Sequence, residues 1–396
     1  MLPPFAAMHR AYLFWIVLGV LFIPAAFAVF RIPEKPIKEM RPLAEHRYLR
    51  ETSADHWPGQ FERWLEDHYP GRSLIIQCNA LVRHKWLEVP SSLVVVGRNG
   101  WLYFVGEGTV ADWRGNDRFQ PDELLKWRAA LEGRSAWWRA HGAKYIAVFV
   151  PNKSTVYPEY FPQRFGPRQP GKLDQLVETL AESGSRVCLV DLRPVLAGVK
   201  SQRLAYWTTD SHWNDAGLRA ACDAILDRAV AIGAATRASD ATRWISSEPF
   251  NRDGDCVKLL RLSGLWPDHA ATQLRLTHPR DLSVSESSIR QALRPKAFNR
   301  SSGHGRAVMI GDSFFRIGGM STRAEAESPL ILHFNRFVSL WGFEGTRDLV
   351  DYDDCVAIET AEHPTVVIEQ WTERLLRGFP PDSLEFEQAR RQLEPR

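Results

Sequence analysis

Arg306-Ala307-Val308-Met309-Ile310-Gly311-Asp312-Ser313-Phe314-Phe315 (RAVMIGDSFF) is the stretch on which the fold turns. Its first half is a short apolar run of strand length, and Gly-Asp-Ser follows at once. In open α/β sheets, sites form outside the carboxyl ends of the strands. A serine there, on a tight turn leading into a helix, projects its hydroxyl into the cleft. Backbone N–H groups of the same turn, including that of Phe314, point at the same space and can stabilise an oxyanion. Gly311 allows the chain to turn closely. The same residues would also serve as a plain helix cap through Asp312 or Ser313, so the reading depends on what accompanies them.

Outward from this stretch, further apolar runs repeat the pattern. Lys144 to Val150 (KYIAVFV) is a buried strand closed by Pro151, and strands are also expected at Arg186 to Leu192, Leu330 to Phe334 and Thr365 to Glu369. Helical spacing occupies Pro121 to His141, Leu173 to Glu182 and Asn214 to Val230, the last with Asn214 or Asp215 near its N-cap. Apolar strands alternating with helices predict a three-layer α/β/α sandwich around a mainly parallel sheet. Ahead of it, Leu93 to Gly97 and Trp101 to Phe104 flank Asn99-Gly100, a hairpin signal. Phe61 to Trp86 has helix-like spacing broken at Pro70-Gly71. Residues 239–299 show few clear periods and read as an insertion with short elements.

The N-terminal region points to a membrane. Ala11 to Phe30 (AYLFWIVLGVLFIPAAFAVF) carries no charge. About 20 apolar residues span a bilayer as a helix, and a soluble helix of that length would show a polar face. Ala26-Phe27-Ala28 also resembles a signal-peptidase site, so cleavage is an alternative. The expected organisation is a tail at 1–10, a transmembrane signal-anchor at 11–31, a juxtamembrane linker and helical region at 32–90, and the α/β domain at 91–396. Arg31, Lys35, Lys38 and Arg41 outnumber Arg10 across the segment, which alone would keep the following chain in the cytoplasm. A long folded domain, however, translocates largely regardless of flanking charge.

Composition narrows the function classes. The 396 residues are 44% hydrophobic and 24% charged, as for a globular chain with a sizeable core. A net charge of +3, with basic residues scattered, leaves no nucleic-acid footprint. The 15 tryptophans suit core packing first and sugar stacking second. None of Cys78, Cys188, Cys222, Cys256 and Cys355 forms a C-x-x-C pair, so no zinc site is expected. Cys188 and Cys222 read as buried thiols.

Three further motifs carry candidate chemistry. In Thr209-Asp210-Ser211-His212-Trp213-Asn214, Asp and His two apart in an extended segment lie on one side of the chain. Asp210 can then fix the His212 tautomer while the other ring nitrogen serves as general base to a serine. A surface histidine and a capping aspartate would have the same spacing. Pro151-Asn152-Lys153-Ser154 follows strand KYIAVFV and opens on the same edge as Ser313. There Asn152 can donate to an oxyanion and Lys153 can bind an anionic or hydroxyl-rich substrate, or both can satisfy a turn. In Glu369-Gln370-Trp371-Thr372-Glu373-Arg374, Arg374 can bind a substrate carboxylate or pair on the surface with Glu373 or Glu369.

Taken together, GWLY after the hairpin, VPNKSTVYP, TDSHWN, IGDSFF and VVIEQWTERLL resemble the SGNH-hydrolase-like O-acetyltransferase domain of the AlgJ/AlgX family, over roughly Val94 to Leu376. The resemblance implies Ser313 as nucleophile, His212 as base and Asp210 as orienting acid. It also implies a circularly permuted motif order, since the Asp/His block precedes the serine block. With it come Phe314, Asn152, Lys153, Trp213 and Arg374 as candidates for substrate binding or the oxyanion, and no metal or organic cofactor. The implied setting is the periplasmic face of the inner membrane, with a polysaccharide acceptor and an MBOAT-type membrane acyltransferase as acetyl donor. An acetyl esterase with the same triad and a non-catalytic scaffold of a polymer-export complex are the rival readings.

Overall fold

A computed structural model of the chain describes residues 57–87, 91–238, 250–271, 281–315, 329–344 and 350–376, with short stretches at 14–15, 18–19, 22–33, 37, 42–45, 89, 244–246, 274–276, 347–348. The elements, in chain order, are helices α1 (Trp57–His68) and α2 (Arg72–Leu81), strands β1 (Val94–Val96) and β2 (Leu102–Phe104), α3 (Pro121–Ala140), β3 (Lys144–Val150), α4 (Lys172–Glu182), β4 (Cys188–Asp191), α5 (Arg193–Lys200), α6 (Asp215–Ala231), β5 (Phe250–Arg252), α7 (Asp255–Leu259), β6 (Asp268–Ala271), β7 (Leu282–Ser285), β8 (Lys296–Arg300), β9 (Arg306–Gly311), β10 (Arg336–Trp341), α8 (Tyr352–Glu362) and β11 (Val366–Thr372).

Seven strands form the central sheet in the order β4-β3-β11-β9-β10-β8-β7. The five from β4 to β10 are parallel, and β8 and β7 add antiparallel to one edge. The sheet is mixed, and its parallel part is buried on both faces. In β3, Ile146, Val148 and Val150 face a core shared with Leu196, Ala221 and Ile225, while Tyr145, Ala147 and Phe149 face one shared with Trp127, Leu131 and Leu176. The period of two that separates these sets is the reason KYIAVFV carries no polar alternation. Each fully buried Ile, Val or Phe stabilises the fold by about 1.5–3 kcal/mol. Helix starts follow local chemistry. Pro121 opens α3 behind a box in which the Gln120 N–H donates to Glu123 at 2.7 Å. Asn214 caps α6 by accepting from the N–H groups of Ala216 and Gly217 at 3.0 and 3.1 Å.

The β1–β2 hairpin stands where Asn99-Gly100 predicted it, both residues at positive φ (54° and 76°). The helical arm breaks at Pro70-Gly71 as expected. It packs through Ala80 onto a third core cluster formed by Val94, Leu102, Cys256, Val257, Leu260 and Leu262.

Two expectations are corrected. Leu330 to Phe334 is no strand: Pro329–His333 forms a buried 3₁₀ turn, and the strand follows it as β10. A short apolar run buried on all sides has no period by which to tell the two apart. Residues 239–299 are also more than an insertion, because β7 and β8 complete the central sheet. Among the described residues all five cysteines are free, Cys222 buried and Cys188 half-buried. No helix of the described residues is long and apolar enough to cross a membrane. Most of 11–21 lies outside those residues, and the part described at 22–30 is helical. The helix expected after Ser313 also lies outside them.

Candidate active site

Ser313 follows β9, the central strand, at the carboxyl edge. Its turn is held by neutral side chains of the neighbouring strand. Gln370 Oε1 accepts the Asp312 N–H at 2.9 Å, and Thr372 Oγ1 donates to Asp312 Oδ2 at 2.5 Å. Asp312 Oδ1 in turn accepts the Phe314 N–H at 2.9 Å. From the other side, the Trp213 indole N–H donates to the Phe314 carbonyl at 2.9 Å. The turn is therefore fixed by strand register and side-chain hydrogen bonds, each contributing about 1 kcal/mol net.

His212 Nε2 lies 2.7 Å from Ser313 Oγ, from which it accepts when the ring is neutral, and His212 Nδ1 donates to Asp210 Oδ1 at 2.7 Å. The three residues named from motif positions meet, although 101 positions separate histidine from serine. The local form differs from the extended segment expected. Tyr206 and Trp213 bridge antiparallel, and residues 207–212 make a loop between them. Within it Asp210 Oδ1 also accepts the His212 N–H at 3.0 Å, an Asx-type turn that brings the two side chains together without a strand.

The loop is held by charge. Lys153 is buried, and its ammonium donates to the carbonyls of Leu102 (2.6 Å), Thr208 (2.8 Å) and Asp210 (3.0 Å). Burial pushes this ammonium down to about 8, against the carboxylates of Asp210, Asp268 and Asp255, which act to raise it. Asp268, from β6, accepts from the backbone and hydroxyl groups of both Thr208 and Thr209. Asp210 Oδ2 accepts from Arg252 Nη2 at 2.8 Å and from the Asp255 N–H at 3.0 Å. Asp255 accepts the Ser211 N–H at 2.7 Å and also its hydroxyl. Gly254 lets this segment approach closely, since a Cβ there would lie 2.0 Å from the Thr209 carbonyl oxygen.

These contacts set the proton affinities. Burial alone would raise the Asp210 carboxyl, but the His212 hydrogen bond and charge and the Arg252 charge carry it well below the ordinary carboxylate range. Burial alone would lower His212, but hydrogen bonds and charge from Asp210 and then Asp255 raise it to about 9. Asp210, His212 and Asp255 bring their ligand-type atoms within 4.8 Å of one another, a grouping to be tested as a cation site. It does not fit one: four N–H donors occupy the Asp210 oxygens, and a guanidinium already supplies the positive charge.

Several expected roles change. Lys153 is enclosed among carbonyls and has no reach to a substrate, and Trp213 is wholly buried against the serine turn. The Phe314 N–H is engaged by Asp312 and is not an open oxyanion donor. Arg374 pairs with neither Glu369 nor Glu373: Glu369 is bonded to Arg134 and Tyr145, and Glu373 accepts from Arg168 and the Asn152 N–H. Its Nε instead donates to Glu107 at 3.1 Å, and its guanidinium lies 5.3 Å from the Phe314 ring, beside the serine. Asn152 is buried at the end of β3, two strands from β9, with its side-chain amide unbonded to other described residues. Sequence reasoning missed Arg252, Asp255 and Asp268. They sit in a region without periodicity, and only the acidic spacing around Asp253-Gly254-Asp255 was available as a signal.

A mixed α/β sheet covered on both faces, with a serine at the end of its central strand facing histidine and aspartate, places the chain in the SGNH-hydrolase-like class. The profile of the family described as "SGNH hydrolase-like domain, acetyltransferase AlgX" matches residues 94–315, more than half the chain, and the chain belongs to that acetyltransferase family. The probable alginate O-acetylase AlgJ of Pseudomonas putida KT2440 is 26% identical over 181 residues, 43% of this chain and 43% of that protein, so the match spans less than half of the curated relative. Among solved structures, Bacillus cereus PatB1 with a sulfonyl adduct matches with a TM-score of 0.50 at 14% identity, over 74% of this chain and 98% of that one, a likeness of fold. The O-acetyltransferase domain of Pseudomonas putida AlgJ aligns at 19% identity over 75% and 99% of the two chains, with a TM-score of 0.48.

Proposed function

We propose that this chain is a serine-dependent O-acetyltransferase that moves acetyl through an acyl-enzyme onto hydroxyls of an exported polysaccharide, alginate-like or another exopolysaccharide. The observation that carries the reading is the 2.7 Å contact from Ser313 Oγ to a His212 ring whose other nitrogen is held by Asp210. His212 Nε2 takes the Ser313 proton as Oγ bonds to the donor's acetyl carbon. The tetrahedral intermediate expels the donor's leaving group, which takes the proton from Nε2. A sugar hydroxyl then gives its proton to Nε2 and attacks the acetyl-serine. Collapse releases the acetylated sugar and returns the proton to Ser313. The Ser313 N–H and the Asn152 side-chain amide, both without acceptors or donors among the described residues, are the oxyanion donors. Arg374, which lies beside Phe314 and pairs with Glu107, is the residue proposed to meet an anionic group of the acceptor.

The proposed setting is the periplasmic side of the inner membrane, with residues 11–31 as anchor. Acetyl-CoA is cytoplasmic, so the acetyl group reaches Ser313 through a membrane acyltransferase of the MBOAT type.

Ser313→Ala is expected to lower acetyl on the exported polymer by about a thousandfold or more. Polymer acetylated at the normal level in cells carrying only this variant would overturn the reading. Release of acetate from a chromogenic ester at a rate indifferent to added oligosaccharide would reassign the chain as an esterase.

A further inference from the structure

We propose that Asp255 is a second positioning carboxylate for the base, acting at His212 Nδ1 directly and through Ser211, and that it holds the imidazole in the tautomer facing Ser313. The inference deepens the acyl-transfer reading and rests on it for its catalytic meaning.

The geometry separates the two carboxylates by role. Asp210 is saturated: Oδ1 takes the backbone N–H and the ring Nδ1–H of His212, and Oδ2 takes Arg252 and the Asp255 N–H. Arg252 thus balances much of the Asp210 charge. Asp255 has no lysine or arginine ion-pair partner among the described residues. Its Oδ2 lies 3.4 Å from His212 Nδ1 and accepts the Ser211 hydroxyl, whose oxygen is itself 3.3 Å from Nδ1. Its negative charge therefore acts on the imidazole at close range, with the Lys153 ammonium the other cation it is felt by.

The other groups around the ring do not replace it. Lys153 faces the Asp210 carbonyl, Asp268 is engaged with Thr208 and Thr209, and burial keeps the Cys256 thiol protonated. Ser313 takes the opposite nitrogen, and the Phe314 ring packs at a tilt 4.8 Å away with Arg374 beyond it. Asp255 accordingly stands behind Asp210 among the causes that raise His212. It also supports the proton on Nδ1, which leaves Nε2 as the acceptor for Ser313. The two oxygens of Asp255 tie the loop at Ser211, one residue from each partner of the dyad.

The test is an NMR titration of His212 in the full chain, its Cε1–H signal assigned by loss in His212→Gln. Asp255→Asn keeps an acceptor for the Ser211 N–H and removes the charge. It is expected to lower the titration midpoint by about one pH unit. Ser211→Ala is expected to move it the same way by less, and Asp255→Glu to restore it in part. If Asp255→Asn fails to fold, Ser211→Ala carries the same sign of shift. A midpoint unchanged in the folded variants would overturn the proposal and leave Asp255 as a loop tether only. The titration needs no turnover. A shifted midpoint in a chain that never acetylates polymer would sink the transferase reading and leave this inference standing.

Discussion

The two halves of the site are built differently. Ser313 is held by the sheet: Gln370 and Thr372 of β11 bind the Asp312 turn, and a buried tryptophan closes it from behind. Asp210 and His212 stand on a loop held by ions: Lys153 beneath, Arg252 and Asp255 at one side, Asp268 at the root. The nucleophile half depends on strand register and on hydrogen bonds that join the backbone and neutral side chains to one carboxyl group, Asp312. The base half is a charge balance, so pH acts mainly there. Neutral bonds fix a position over a wide range of conditions, whereas opposed charges fix both a position and a proton affinity.

The largest effect that would break this contrast is on rate. With His212 raised to about 9, neutral imidazole is scarce at neutral pH. Labelling of Ser313 by a serine-reactive probe is expected to climb about tenfold per pH unit and level off near pH 9, a gain of about 100-fold from pH 7. A plateau already reached at pH 6 would show that the ions do not set the base. Stability runs the opposite way. The raised value means that protonated His212 stabilises the fold fully below its ordinary 6.5, and this contribution is lost as pH rises through about 9.

A smaller effect is expected from Lys153→Met. It takes the ammonium donor from the carbonyls of Leu102, Thr208 and Asp210, of which Thr208 keeps the Leu102 N–H, and should cost about 2–3 kcal/mol in urea unfolding, with activity falling alongside. Loss of activity without loss of stability would return Lys153 to substrate binding. The smallest test falls on the serine half. Trp213→Phe removes one hydrogen bond to the Phe314 carbonyl and part of a buried ring and should cost about 2 kcal/mol, with the pH profile unmoved. A moved profile would mean that the two halves are not independent.

How much of this was visible in the sequence follows from the same contrast. The serine half announces itself: RAVMI is a strand because it is apolar on both faces, and Gly-Asp-Ser at its end can hardly lie elsewhere than on the carboxyl edge. Asp210 and His212 were legible as a pair because a single residue separates them, although the Asx turn that joins them was not. The surrounding ions were not legible. Arg252, Asp255 and Asp268 are polar residues in an aperiodic stretch, and such residues read as solvated surface until the fold closes over them. Lys153 and Trp213 misled for a related reason. A charged group and an amphipathic ring suggest contact with a ligand, whereas here each spends its polar atoms on the protein's own carbonyls. β10 was lost because Leu330 to Phe334, next to it, offered a stronger apolar run.

Gly254 shows where freedom to vary ends in this half. The strands on either side of it, β5 and β6, are short and pair with each other outside the central sheet. At 254 the margin is gone, because the space a side chain would need is already filled by an oxygen of the loop that carries the base. The tolerance of a region is thus fixed here by a neighbour distant in the chain, and a residue that touches no reactant becomes as hard to replace as one that does.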